Sequence, residues 1–184
     1  MPAGSHVWIY GLADGDILYE NLHNLTHPLE VTYATVYDFL NCLRISPCWG
    51  WLNTNEEIRS FTTERARNLS KVYKEIINEY TFKNFDIVYY DFPQWDIINR
   101  RILEGGDPTE MIEACDGFHP DGLFNSYLAD WTWNKIQEDY PDWIGAKNPH
   151  NKQILERFHL KTFNDTRIQM GDTEEFINLD TIEI

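Results

Sequence analysis

The chain has 184 residues, of which 42% are hydrophobic, so it is long enough to form one domain with its own core. Its 30 acidic and 15 basic residues give a net charge of −15, which argues against nucleic acid and against an anionic membrane as partners. No apolar run reaches the roughly 18 residues that a membrane-spanning helix requires, and we therefore expect no transmembrane segment.

Two short apolar runs predict buried strands. The first, 6–10, ends at a glycine-containing loop at 11–15, and the second, 85–91, ends at Phe92 and Pro93. Three helical patterns lie between and after them, at 33–43, 63–80 and 94–104. This alternation predicts an α/β fold with a parallel sheet. Because two strands make an unusually narrow parallel sheet, we expect the C-terminal part of a doubly wound domain whose other strands lie outside this chain.

An acid and an imidazole follow in a tight motif. Asp116 and His119 are three residues apart, and Pro120 comes next. Apolar residues then recur at intervals of three and four: Leu123, Phe124, Tyr127, Leu128 and Trp131. Since proline suits the first turn of a helix, this pattern predicts a helix that begins at Pro120. The pair would then lie on a loop at the sheet edge where the strands end, which is where active sites lie in such folds.

The chemistry of Asp116 and His119 is that of an acid–base pair. A carboxylate that accepts a hydrogen bond from one ring nitrogen fixes the tautomer and leaves the other nitrogen as a general base. The four-residue motif alone is weak evidence for this pair, and by itself it favours a loop or capping aspartate beside an ordinary, partly buried histidine. No Gly-Asp-Ser, G-x-S-x-G, P-loop or G-x-G-x-x-G motif is present, and no serine falls between a predicted strand and helix. If the pair serves a serine hydrolase, we expect the nucleophile to lie outside this chain.

Two other clusters have metal-ligand spacing. His23 and His27 are four residues apart, but the turn predicted around them favours hydrogen-bonding loop histidines over a metal site. Asp14, Asp16 and Glu20 resemble part of a calcium loop without its full residue order, which favours a solvated turn.

Three cysteines are too few for a disulfide framework. Cys42 and Cys48 are close enough in sequence to bridge a small loop, although two reduced thiols fit as well, and Cys115 is left over. Trp49 and Trp51 follow directly; they either line an acyl-chain groove or pack against the cysteine loop.

The ends of the chain bear on its localisation and its domains. N-glycosylation triplets at Asn24, Asn68 and Asn164 are compatible with a secretory route, whereas residues 1–6 lead directly into the first predicted strand without a signal peptide. From residue 142 the pattern weakens into a linker at 145–149, a short helix at 153–160, and an acidic end at 171–184 that is an appendage or an edge strand.

A collinear series of segments carries a family resemblance. The segments are 4–15, 21–24, 27–28, 39–43, 46–48, 63–66, 85–86, 91–92, 116–120 and 148–149. Together they resemble the C-terminal part of the hydrolase subunit of acyloxyacyl hydrolases, which are lipases of the SGNH (Gly-Asp-Ser, or GDSL) class. The resemblance implies a flavodoxin-like three-layer fold, with residues 1–158 as the C-terminal portion of the hydrolase domain and 159–184 as an acidic C-terminal extension.

The resemblance also assigns roles. It implies a Ser–His–Asp triad in which His119 is the general base and Asp116 its orienting acid, while the nucleophilic serine and the oxyanion-hole residues belong to segments before residue 1. The Cys42–Cys48 pair falls on a family cysteine pair, so the resemblance implies a disulfide there. It further implies a secreted or lysosomal (vesicular) full-length protein.

The implied reaction removes secondary, acyloxyacyl-linked fatty chains from the lipid A of lipopolysaccharide, and cleaves some phospholipid and glyceride esters. The implied partners are this acylated lipid, the missing N-terminal part of the domain and a small saposin-like subunit. No cofactor is expected in this chain, although calcium fits the full-length protein. Two alternatives stay open: an SGNH esterase or phospholipase of other lipid specificity, and a truncated, non-catalytic product that acts as an interaction protein.

Overall fold

A computed structural model of the chain describes residues 1–146 and 148–158. One compact unit is Met1–Trp143, and a second begins at Ile144. In the first unit, strands β1 (Ser5–Tyr10) and β2 (Phe85–Tyr90) pair in parallel, with Val7 opposite Ile87. The prediction of an α/β fold with a narrow parallel sheet is confirmed, and this arrangement is consistent with an incomplete α/β hydrolase domain.

Five helices accompany the sheet in the first unit: α1 (Asp16–Leu22), α2 (Tyr33–Cys42), α3 (Glu56–Glu79), α4 (Gln94–Leu103) and α5 (Gly122–Asp139). Two 3₁₀ turns, Pro108–Met111 and Pro141–Trp143, follow α4 and α5. The predictions of α2 and α4 are confirmed nearly to the residue. Residues 14–20, predicted as a solvated turn, instead lead into and form most of the short helix α1.

Two helix starts differ from the predictions for reasons of capping. α3 begins seven residues before 63, because the Asn55 side chain accepts from the Glu57 N–H (2.9 Å) and acidic residues occupy the first turn. α5 begins at Gly122 and not at Pro120, because the Asp121 side chain caps it by accepting from the Phe124 N–H (2.9 Å). Pro120 instead forms an antiparallel bridge with Ile112.

Two buried clusters anchor the elements of this unit. The first consists of Leu22, Tyr33, Tyr37 and Leu52, and the second of Ile97, Met111, Phe124 and Tyr127. Phe118, next to the predicted catalytic histidine, packs against the first cluster. Complete burial of a large apolar side chain contributes about 1.5–3 kcal/mol. The loop that carries Asp116 and His119 is therefore attached to one of the two best-packed regions.

The apolar face of α3 is less buried than its periodicity predicts. Ala66 is buried, but Leu69, Val72 and Ile76 are each more than 40% exposed. Within the described part of the chain, these three side chains are therefore only about half buried.

The second unit contains α6 (Asn151–Arg157), which begins two residues before the predicted 153–160 helix. The predicted extension 159–184 lies outside the described residues, and the domain boundary at 158 stays a prediction. None of the helices in the described ranges is long and apolar enough to cross a membrane.

Candidate active site

The predicted acid–histidine pair is formed in the structure. The Nδ1 of His119 lies 2.7 Å from Oδ2 of Asp116, and the two side chains are 61% and 32% exposed. Nε2 of His119 makes no hydrogen bond within the described part of the chain. The arrangement is that of a general base whose outer nitrogen faces solvent and whose inner nitrogen is oriented by a carboxylate.

The carboxylate of Asp116 is itself held by the backbone. Its Oδ1 accepts from the N–H of Phe118 (2.8 Å) and from the N–H of His119 (3.0 Å). Partial burial raises the pKa of Asp116, but the hydrogen bonds from the His119 ring and from these two N–H groups lower it by more. The net pKa lies below the usual value, so Asp116 is ionised at neutral pH and the Nδ1 of His119 must be the donor.

The lowered pKa of Asp116 leads to a prediction about acid stability. A carboxyl whose pKa is lower in the folded state stabilises the fold above its unfolded pKa of about 3.9, and this contribution is lost as the pH falls through the folded pKa. We expect Asp116→Asn to lower the free energy of unfolding at pH 6, and the deficit relative to wild type to shrink below about pH 4. Urea unfolding of both proteins from pH 6 to pH 2 measures this. A deficit that stays constant to pH 2 would contradict it.

The loop backbone closes on itself around the pair. The Glu113 N–H donates to the His119 carbonyl (2.8 Å), the Gly117 N–H donates to the Glu113 carbonyl (2.8 Å), and the Asp121 N–H donates to the Met111 carbonyl (3.0 Å). Gly117 turns the chain with a φ of +61°. A Cβ at this position would meet the Tyr37 hydroxyl and lie 2.7 Å from the Tyr33 ring, so glycine is required both by the turn and by the close packing.

We expect Gly117→Ala to destabilise the chain more than Gly105→Ala. Both glycines have a positive φ, which costs an L-residue about 1–2 kcal/mol. A Cβ at Gly105 meets nothing within 4 Å, whereas one at Gly117 adds an overpacking cost of about 1–3 kcal/mol. Chemical denaturation of the two variants measures the difference, and equal losses would mean that the tyrosines move aside at little cost.

His119 of the pair lines an apolar groove of about 410 Å³. The loops after β1 and β2 and the 112–120 loop all contribute to it, through Ala13, Phe92 and His119 among others. The structure therefore brings together the three loops that the sequence predicted at one sheet edge. The rest of the lining is mostly apolar: Ile17, Leu18, Leu22, Ile98, Met111 and Phe124. Trp51 lines the groove as well, whereas Trp49 is 55% exposed.

Gln94 connects the loop after β1 to the loop after β2 through two hydrogen bonds. Its side-chain carbonyl accepts from the Asp14 N–H (2.6 Å), and its amide donates to the Asp14 carbonyl (3.2 Å). The Asp14 carboxylate pairs with Arg67 (2.6 Å) and accepts from the Thr63 hydroxyl (3.2 Å). Gln94 is 95% buried, and the sequence analysis gave it no role because its partner lies 80 residues away in the chain.

The two candidate metal clusters have other partners. Asp16 pairs with the buried Arg59 (3.1 Å), so this carboxylate serves a structural ion pair. Across the described ranges, no group of three or more His, Cys, Asp or Glu side chains is arranged to hold a metal ion. No step of the chemistry is assigned to a calcium ion.

His27 behaves as the predicted hydrogen-bonding loop histidine. It is 5% exposed, its Nδ1 accepts from the Leu29 N–H (3.0 Å), and its Nε2 lies 2.9 Å from the carbonyl oxygen of Cys115. Because Nδ1 is an acceptor, Nε2 carries the proton and donates to Cys115. The tautomer of His27 is thus opposite to that of His119.

The cysteines are free thiols in the structure. Cys42 is exposed, while partial burial raises the pKa of the Cys48 thiol. The Cys42–Cys48 disulfide implied by the resemblance stays a prediction. Cys115 is exposed beside Asp116.

Comparison with known proteins bears on the resemblance. No family model matches the chain. Three curated proteins named acyloxyacyl hydrolase are similar to it over 163 residues, with 45% identity for Homo sapiens, 44% for Oryctolagus cuniculus and 45% for Mus musculus. Each alignment covers 86% of this chain and 28% of the relative, in its C-terminal portion. The resemblance predicted from the collinear segments is confirmed, and the chain spans about 28% of the length of the relatives that it matches.

Proposed function

We propose that this chain is the part of an acylated-lipid ester hydrolase that carries the general base, His119, and its orienting acid, Asp116. The observation that carries the proposal is that His119, hydrogen-bonded to Asp116, lines an apolar groove. The 45% identity to acyloxyacyl hydrolases supports the same class of reaction. None of the chain's five serines is among the groove-lining residues, and we therefore assign the nucleophile to a part of the protein outside residues 1–184.

The proposed chemistry is acyl transfer through a covalent intermediate. Nε2 of His119 accepts the proton of the serine hydroxyl as the serine oxygen attacks the ester carbonyl carbon. The resulting imidazolium is stabilised by the Asp116 carboxylate and gives its proton to the alkoxide that leaves. Water then attacks the acyl-serine ester, and His119 takes a proton from that water and returns it to the serine oxygen. The fatty acid is released, and the starting protonation state is restored.

The groove suits the acyl chain of the substrate. Its lining is mostly aliphatic and aromatic, and removal of an acyl chain from water stabilises binding by about 0.8 kcal/mol for each buried CH₂ group. An acyloxyacyl group is a fatty acid esterified to the hydroxyl of another acyl chain. We propose the secondary acyl chains of lipopolysaccharide lipid A as the substrate, with phospholipid or glyceride esters as the alternative specificity.

The proposal includes a partner and a location. A net charge of −15 repels the phosphates of an anionic lipid unless a calcium ion or a further lipid-binding part offsets the repulsion. We assign that role to a saposin-like subunit and place the whole protein in a secreted or lysosomal compartment.

The test is to express the longest open reading frame that contains this chain. Release of fatty acid is then measured from lipopolysaccharide, phosphatidylcholine and a monoacylglycerol. Release of secondary acyl chains from lipopolysaccharide supports the proposed specificity, and release only from the other two lipids supports the alternative. No ester cleavage from any of them by a soluble, cooperatively folded protein would reject the enzyme and favour an interaction protein.

A further inference from the structure

The loop that carries the catalytic pair is held by three side chains from one short segment, residues 27–37. Each donor bonds a different loop carbonyl: Tyr33 Oη to Ala114 at 2.7 Å, His27 Nε2 to Cys115 at 2.9 Å, and Tyr37 Oη to Gly117 at 2.8 Å. We call these three side chains the carbonyl clamp. All three are buried, with exposures of 6%, 5% and 0% in that order.

Burial makes these bonds persistent. A buried hydroxyl or imidazole N–H that loses its acceptor carries a desolvation penalty, which favours retention of these three bonds. The tautomer of His27 is fixed independently by the Leu29 N–H, so this donor stays aimed at the loop. The clamp therefore holds three of the four peptide units between Ala114 and Phe118.

A planar peptide unit connects the carbonyl clamp to the Asp116–His119 pair. The Gly117 carbonyl and the Phe118 N–H belong to one rigid peptide unit. Tyr37 fixes the carbonyl end of this unit, and its N–H end donates to Oδ1 of Asp116 (2.8 Å). The other carboxylate oxygen accepts from Nδ1 of His119. A single planar group thus connects the buried phenol to the orientation of the carboxylate, and through it to the imidazole.

We infer that His27, Tyr33 and Tyr37 are positioning residues for the His119–Asp116 pair. They keep the exposed His119 ring in the Nδ1–H tautomer, with Nε2 ready to accept a proton. The inference rests on the proposed function only for its catalytic consequence; its structural part concerns the loop alone.

The structural part is tested in the 184-residue chain by ¹⁵N NMR of the histidine rings at neutral pH. Tyr37→Phe removes one hydroxyl, and Tyr10→Phe is the matched control, because the Tyr10 hydroxyl bonds Thr132 away from the loop. We expect wild type and Tyr10→Phe to hold neutral His119 as Nδ1–H, and Tyr37→Phe to give a mixture of both tautomers. An unchanged His119 spectrum in Tyr37→Phe would overturn the inference.

A second pair of variants separates the two bonds of His27. The amide of His27→Gln reaches the position of Nε2 and retains a donor to Cys115, whereas His27→Asn places its amide near Nδ1 and loses that donor. Both variants and Tyr37→Phe are then made in the protein from the longest reading frame. We expect His27→Asn and Tyr37→Phe to lower kcat by about tenfold or more, with KM within about twofold of wild type. We expect His27→Gln to retain most of the wild-type kcat. Equal kcat for Gln and Asn, or a change in KM alone, would overturn the positioning role. If that protein cleaves no ester at all, the proposed function fails, and the NMR result still decides the clamp.

Discussion

Under the proposed function, replacement of His119 by alanine is expected to lower kcat of the full-length protein by roughly 10⁶-fold, the loss seen when the base of a serine triad is removed. His119 is the only histidine among the described residues that line the groove, so no second imidazole takes over its proton transfer. The ring is 61% exposed, and its removal leaves no large cavity. The unfolding temperature is therefore expected to stay close to that of wild type while ester hydrolysis disappears.

His150→Ala is the matched control for this experiment. His150 is an exposed histidine at the start of α6 and is not among the residues that line the groove. Its loss is expected to leave kcat unchanged. Hydrolysis of the lipid substrate by His119→Ala at more than a few per cent of the wild-type rate would remove His119 from the role of general base.

The Asp116–His119 pair could be predicted from the sequence because its contacts are local. Asp116 reaches the backbone N–H groups of Phe118 and His119 and the ring of His119, all within three residues. The motif and the proline after it therefore pointed to the Asp116–His119 hydrogen bond, but they did not predict the bonds from the backbone N–H groups. The strands were predicted for a similar reason, since each is a single apolar run that ends at a loop.

The hydrogen bonds from Tyr33 and Tyr37 that hold the loop of this pair could not be predicted in the same way. Tyr33 and Tyr37 lie on α2 at helical spacing, where a tyrosine that packs in the core and one that bonds a distant carbonyl give the same pattern. Their partners are about 80 residues later in the chain. The contact exists only because the 112–120 loop packs on the first buried cluster. Gly117 beside Asp116 indicates a backbone turn, but a glycine alone does not show which side chains pack against that turn.

The error at Pro120 has a different physical origin. Proline at that position suits the first turn of a helix and also an extended segment, because its fixed φ is shared by both. Asp121 decides between them, since its side chain caps the helix one residue later and leaves Pro120 to pair with Ile112. The loop that carries His119 is therefore two residues longer than predicted, because the helix begins at Gly122.

Asp116→Asn is expected to lower kcat by roughly 10⁴-fold, the loss that follows when the orienting acid of a triad becomes an amide. Asparagine retains an oxygen for the N–H groups of Phe118 and His119, so the loop conformation is expected to persist. The other end of the amide is an NH₂ group that faces Nδ1 of His119. Two donors cannot bond each other, and the ring must move its proton to Nε2, which then no longer accepts one from the serine.

Asp121→Asn is the matched control for the same chemical change. Asp121 lies five residues later and caps α5, and asparagine caps a helix about as well as aspartate. We expect this variant to retain kcat within a few fold. The diagnostic measurement is ¹⁵N NMR of the His119 ring beside the kinetics, because the tautomer must change in Asp116→Asn if the carboxylate sets it. An Asp116→Asn protein that keeps the Nδ1–H tautomer and most of its activity would mean that Asp116 organises the loop without orienting the base.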